Sequence, residues 1–100
     1  MFTGQKVLVV GLARSGLAAA QSLHKHGAQV IGYDQKAIDS LGTVVRDLEQ
    51  MGIPVINEWE PEGIKPIDLI VISPGVPLSL PMCQWAQAQG IPIIGELEIA

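Results

Sequence analysis

Three short stretches carry residue types that could hold a ligand. The first is Gly11-Leu12-Ala13-Arg14-Ser15-Gly16. Glycines at this spacing permit a tight turn at Gly11 and a close helix–sheet approach at Gly16, and the amides between them open a helix N-terminus that can face a phosphate. The middle position, where a glycine would let the backbone approach a pyrophosphate most closely, is Ala13, so a methyl projects near that place. The second is Asp34, about twenty residues beyond the turn, where a carboxylate can accept hydrogen bonds from a ribose hydroxyl. It could equally accept an N–H from a base. Lys36 follows and could meet a ligand phosphate or ring, although alone it reads as a surface lysine. The third is Ser73-Pro74-Gly75-Val76-Pro77. Its backbone and Ser73 would face the same crevice as Ser15 and Asp34. Each stretch has a plainer reading: glycines that serve packing alone, a solvated Asp34, and a bare turn at Pro77.

The elements that must position these residues follow from hydrophobic pattern. Lys6-Val7-Leu8-Val9-Val10 is apolar without alternation, as in a strand buried on both faces. Beyond Gly11, Gly16, Leu17, Ala20 and Leu23 share one helix face, and Gly27 closes that helix after His24, Lys25 and His26. Gln29 to Tyr33 reads as a second strand, and Leu41, Val44, Val45, Leu48 and Met51 mark a helix from Ser40 to Gly52. Pro54 to Ile56 is a short strand, Asn57 to Pro66 a charged loop, and Asp68 to Ile72 another buried strand. Pro81 opens a third helix that Gly90 ends, and Ile91 to Ile94 is the last strand. Strands alternating with helices predict an α/β fold, a Rossmann-like doubly wound sheet of about five parallel strands with helices on both faces. Its ligands belong at the carboxyl ends of the strands.

Composition narrows the function. The chain has 100 residues, 48% hydrophobic and 16% charged, which suits one domain with a real core and excludes a disordered chain. Six Lys and Arg against ten Asp and Glu give a net charge of -4, so the basic footprint of a nucleic-acid binder is missing. An anionic ligand would be held by backbone amides and a helix dipole. No apolar run reaches the ~18 residues of a membrane span, and the single cysteine, Cys83, suits a reducing, cytoplasmic compartment. His24 and His26 point to different helix faces and make a poor metal pair. Cys83 reads as a small apolar filler, Trp85 with Met82 as core packing, and Trp59 as a cap on the sheet edge. No Gly-x-x-x-x-Gly-Lys-Ser/Thr phosphate loop occurs, and no catalytic or metal-ligating residues can be assigned. The ending Glu96-Leu97-Glu98-Ile99-Ala100 lacks a stop signal, which suggests a domain cut from a longer protein.

The chain resembles the N-terminal domain of a bacterial Mur ligase. The resemblance runs through Val9-Val10-Gly11-Leu12-Ala13-Arg14-Ser15-Gly16-Leu17-Ala18-Ala19-Ala20, then Asp34, then Asp68-Leu69-Ile70-Val71-Ile72-Ser73-Pro74-Gly75-Val76-Pro77. It ends with Gly90-Ile91-Pro92-Ile93 and Gly95-Glu96-Leu97-Glu98, and so covers nearly the whole chain. The segment from Ser73 to Pro77 and the final Gly-Glu-Leu-Glu discriminate most, because the glycine turn alone also suits dehydrogenases.

The resemblance implies a domain over residues 1–95 that grips the UDP part of UDP-N-acetylmuramoyl-L-alanine, with residues 96–100 starting a linker. Leu12, Ala13, Arg14 and Ser15 would face the diphosphate, Asp34, Gln35 and Lys36 would surround the uracil, and Ser73 and Gly75 would line the same crevice. It also implies an ATP-dependent ligase, in which the substrate carboxylate is activated as an acyl phosphate and attacked by the amine of D-glutamate. ATP and Mg2+ would belong to a central domain that these residues do not contain, so the fragment alone is expected to be inactive. A monomer without nucleic-acid or membrane partners is the expectation. The competing readings are a nicotinamide-dinucleotide-binding domain of an oxidoreductase and a nucleotide sensor without chemistry.

Overall fold

The apolar run near the start of the chain becomes the middle of a sheet. A computed structural model describes residues 3–12, 14–34, 42–58, 67–73 and 76–95, with backbone alone at 14 and 15. The elements are β1 (Lys6–Val10), α1 (Arg14–Lys25), β2 (Gln29–Tyr33), α2 (Thr43–Gln50), β3 (Val55–Ile56), β4 (Leu69–Ile72), α3 (Pro81–Gln89) and β5 (Ile93–Gly95). The sheet order is β3-β2-β1-β4-β5 and every pairing is parallel. The chain builds outward from β1 to β3 on one side, then crosses to build β4 and β5 on the other. That reversal puts a topological switch point beside β1, where open α/β sheets bind ligands.

Burial on both faces explains why β1 shows no alternation. Val7 and Val9 face a core filled by Leu12, Ala20, Leu23 and Leu48, from α1, α2 and the turn before α1. Leu8 and Val10 face a second core of Ile70, Met82, Cys83 and Ala86, on the side of α3. The four residues Val7 to Val10 are at most 2% exposed, and burying such a side chain contributes about 1.5–3 kcal/mol. The α/β sheet with helices on both faces is therefore the fold that the pattern predicts. Met82 and Cys83 are buried and Trp85 packs against the same cluster, as core residues do.

The helices end by one device. The N–H of Ala28, Ile53 and Ile91 donates to the carbonyl five residues back, at Leu23 (3.1 Å), Leu48 (2.9 Å) and Ala86 (2.8 Å). Each bond reaches across a glycine in the left-handed region to a buried core residue, and the next strand starts within two residues of the donor. This corrects the last strand. Ile91 gives its N–H to α3 and Pro92 has none, so the ladder runs over Ile93–Gly95 instead of starting at Ile91. β3 and β4 likewise start one residue later than expected, at Val55 and Leu69. α2 starts at Thr43, whereas the expected start at Ser40 and Leu41 falls outside the described residues, as does most of the charged loop with Trp59. No helix among the described residues is long and apolar enough to cross a membrane.

Candidate functional site

The site begins where β1 stops. The N–H of Gly11 still donates to the Tyr33 carbonyl at 2.7 Å, and the chain then turns at φ +93°, a backbone region that side chains rarely tolerate. α1 starts at Arg14 and passes so near this turn that a Cβ on Gly16 would overlap the Gly11 carbonyl oxygen. Gly16 therefore serves the close helix–sheet approach that its spacing predicts. The first turn of α1 holds no acidic residue, so no carboxylate of the helix itself offsets the positive end of its dipole. Leu12, between turn and helix, is 1% exposed and points into the core. Gly32 makes room for it, since a Cβ there would stand 3.1 Å from Leu12 Cδ2.

Two side chains from neighbouring strands meet at this turn. The Oδ2 of Asp34, just past β2, accepts the N–H of Leu12 at 2.9 Å. The Oγ of Ser73, just past β4, donates to the carbonyl of Gly11 at 3.0 Å, while the backbone N–H of Ser73 donates to the Val10 carbonyl at 3.1 Å. Ser73 is the one buried polar side chain among the described residues, at 7% exposure. A cleft of about 160 Å³ opens in front, lined by Val10, Gly11, Tyr33, Asp34, Val76, Pro77 and Leu80. Pockets for whole drug-sized ligands run ~300–1,000 Å³, so this cleft has the size of a single ring or sugar. Its walls are mostly apolar, with the Asp34 carboxylate as its charged acceptor. Burial pushes the Tyr33 phenol above its ordinary value, and the negative charge of Asp34 adds to the shift.

A family model described as the Mur ligase MurD-like N-terminal domain matches residues 5–95. The chain belongs to this family. A UDP-N-acetylmuramoylalanine–D-glutamate ligase of Myxococcus xanthus is 44% identical over 99 residues, which is 98% of this chain and 22% of the relative. The ligase of the same name from Caldicellulosiruptor bescii is 45% identical over 98 residues, 97% of this chain and 21% of the relative. The MurD-like domain thus spans about a fifth of the length of the curated relatives it matches. The solved UDP-N-acetylmuramate-alanine ligase MurC of Thermotoga maritima superimposes with a TM-score of 0.75 at 23% identity, over 94% of this chain and 21% of that one. A shikimate dehydrogenase of Aquifex aeolicus does so at 0.63 and 17%, over 96% of this chain and 44% of that one. At these identities both likenesses speak to the fold alone.

In this MurD-like domain, Leu12, Asp34 and Ser73 of the expected site converge around Gly11. Arg14 and Ser15 enter the first turn of α1. Ala13, Gln35, Lys36 and Gly75 lie outside the described residues. The pattern of the sequence missed the bonds that Asp34 and Ser73 make to the turn, missed Tyr33 and Leu80 as cleft walls, and read as a bare turn Pro77, which lines the cleft. The signal for Tyr33 was its position at a strand end, and for Leu80 its place just before Pro81 at the start of α3. Among the described residues no group of three or more His, Cys, Asp and Glu converges to hold a metal ion.

Proposed function

We propose that this MurD-like domain binds the UDP moiety of UDP-N-acetylmuramoyl-L-alanine, as one part of an ATP-dependent, ADP-forming ligase that adds D-glutamate to it in cytoplasmic peptidoglycan precursor synthesis. The observation that carries this reading is the cleft at the switch point, lined by Gly11 and Asp34 beside the turn that leads into α1, in a chain of this family. The amides of Ala13, Arg14 and Ser15 receive the diphosphate at the positive end of α1. Asp34, with Gln35 and Lys36 beside it, surrounds the uracil, and Gly75 lines the same crevice. Leu12 shapes the turn from within, since its N–H is already given to Asp34. ATP, Mg2+ and the D-glutamate amine belong to the part of the relatives that this chain does not cover, and residues 1–100 alone do not turn over. Residues 1–95 form the binding unit, a monomer, and residues 96–100 begin the link to that remainder.

The test is calorimetric or NMR titration of the chain with UDP-N-acetylmuramoyl-L-alanine and, separately, with NADH. Saturable heat or shift changes at Gly11, Asp34 and Gly16 with the UDP compound alone are expected. Micromolar NADH binding with no response to UDP compounds would sink the reading in favour of an oxidoreductase domain.

A further inference from the structure

The Gly11 carbonyl and the Leu12 N–H belong to one peptide unit, and the two ends of that unit are held by different strands. Ser73 Oγ donates to the oxygen at 3.0 Å, and Asp34 Oδ2 accepts the N–H at 2.9 Å. Gly11, at φ +93°, has the freedom to rotate this plane, so something must fix it. We propose that Ser73 is a positioning residue: it clamps the Gly11–Leu12 peptide from the β4 side and so serves a bound diphosphate through the backbone, without touching it. The diphosphate in this statement rests on the function proposed above, whereas the clamp stands on the ligand-free geometry.

Chemistry and geometry both carry it. A hydroxyl has one proton to give, and an anionic phosphate can only accept, so Ser73 cannot serve the Gly11 carbonyl and a phosphate together. Ser73 is buried, and its Oγ lies 3.1 Å from where a Gly16 Cβ would stand, so it sits under the turn against α1. A carbonyl dipole turned outward would repel an anion, and holding this one inward keeps its negative end away from a ligand at the α1 N-terminus. The bond spans 62 residues of sequence, so formation of β4 sets the shape of a turn that belongs to β1.

Amide exchange by NMR in the ligand-free chain tests the clamp, with titration of UDP-N-acetylmuramoyl-L-alanine as a second arm. In Ser73→Ala, exchange of the Leu12 amide should rise roughly fivefold, within the range of one neutral hydrogen bond, and affinity should fall by a similar factor. Amides in β1 and α3 should stay as protected as before, and Ser73→Thr, which keeps the hydroxyl, should restore both readouts. An unchanged Leu12 exchange rate would overturn the clamp, and a fall in affinity alongside it would assign Ser73 a direct contact. A uniform rise across β1 and α3, or a Ser73→Thr chain as fast as Ser73→Ala, would reduce Ser73 to general stability and overturn it as well. A rise at Leu12 with unchanged affinity would overturn its service to the ligand. If the parent chain does not bind the UDP compound, the proposed function fails, while Leu12 exchange still decides the clamp.

Discussion

The two ends of β1 are closed by the same chemistry and yet differ in what they leave open. At the amino end, Asp68 accepts the Lys6 N–H on Oδ2 at 2.8 Å and returns its own N–H to the Lys6 carbonyl at 2.8 Å. At the carboxyl end, Asp34 accepts the Leu12 N–H while Ser73 holds the Gly11 carbonyl. Asp68 is exposed and a single residue supplies both groups, so the amino end is finished by the sheet itself. At the carboxyl end two different strands reach in from opposite sides of β1. The cleft is what remains between them. An aspartate thus takes up a backbone amide at each end of β1, and at the carboxyl end a cleft opens beside it.

The comparison breaks most severely at Gly16. Gly16→Ala places a methyl on the Gly11 carbonyl oxygen, so α1 must retreat from the turn. Overpacking of this kind costs about 1–3 kcal/mol. Urea unfolding should register that loss, and affinity for the UDP compound should fall by more than about tenfold as the helix N-terminus moves off the turn. Parent-like binding in Gly16→Ala would mean that the close approach of α1 has no part in the site.

A matched pair of aspartate substitutions sharpens the contrast. Asp34→Ala leaves a part-buried amide without its charged acceptor, which should cost about 1–3 kcal/mol in stability and weaken the UDP compound comparably. Asp68→Ala exposes the Lys6 N–H to water instead, so about 0.5–1 kcal/mol of stability and no affinity should be lost. Equal losses of affinity in the two variants would erase the distinction between the two ends.

Local pattern made most of the fold legible, because its signals lie within a few residues of the structure they cause. The β-branched runs at Val7–Val10 and Ile70–Ile72 mark strands buried on both faces, and Gly27, Gly52 and Gly90 mark helix ends that reach back to Leu23, Leu48 and Ala86. Pro92 blurred the start of β5, since it reads as part of an apolar run while lacking the N–H that a ladder needs. The place of the cleft was legible too, from Gly11 and Asp34 at strand ends. The bonds that shape it were not. They link residues 22 and 62 positions apart, and which strand ends meet depends on the sheet order, which periodicity does not encode. Gly32 is a related case: a glycine inside a strand looks like a weakness until Leu12 is seen to need its space.

The smallest expected effect lies in the alkaline range and again separates the two ends. Burial holds the Tyr33 phenol above its ordinary 10.0, and the Asp34 charge beside it pushes the same way. The unfolded chain therefore loses this proton first as pH rises. Stability from the neutral phenol is fully present below the ordinary value and is lost as pH climbs through the higher folded value. The buried Cys83 thiol, raised from 9.0, adds a loss of the same sign. Tyr33→Phe should remove the first contribution and keep the second, so its urea midpoint should fall less than that of the parent between about pH 8 and the alkaline limit. Asp34→Asn removes the charge that helps to raise the phenol and should also flatten the loss, by less than Tyr33→Phe does. Asp68→Asn, at the far end of β1, should leave the alkaline profile of the parent unchanged. If Asp68→Asn flattened it as much as Asp34→Asn, the coupling would be a general effect of removing negative charge, and the carboxyl end would have no local electrostatics of its own.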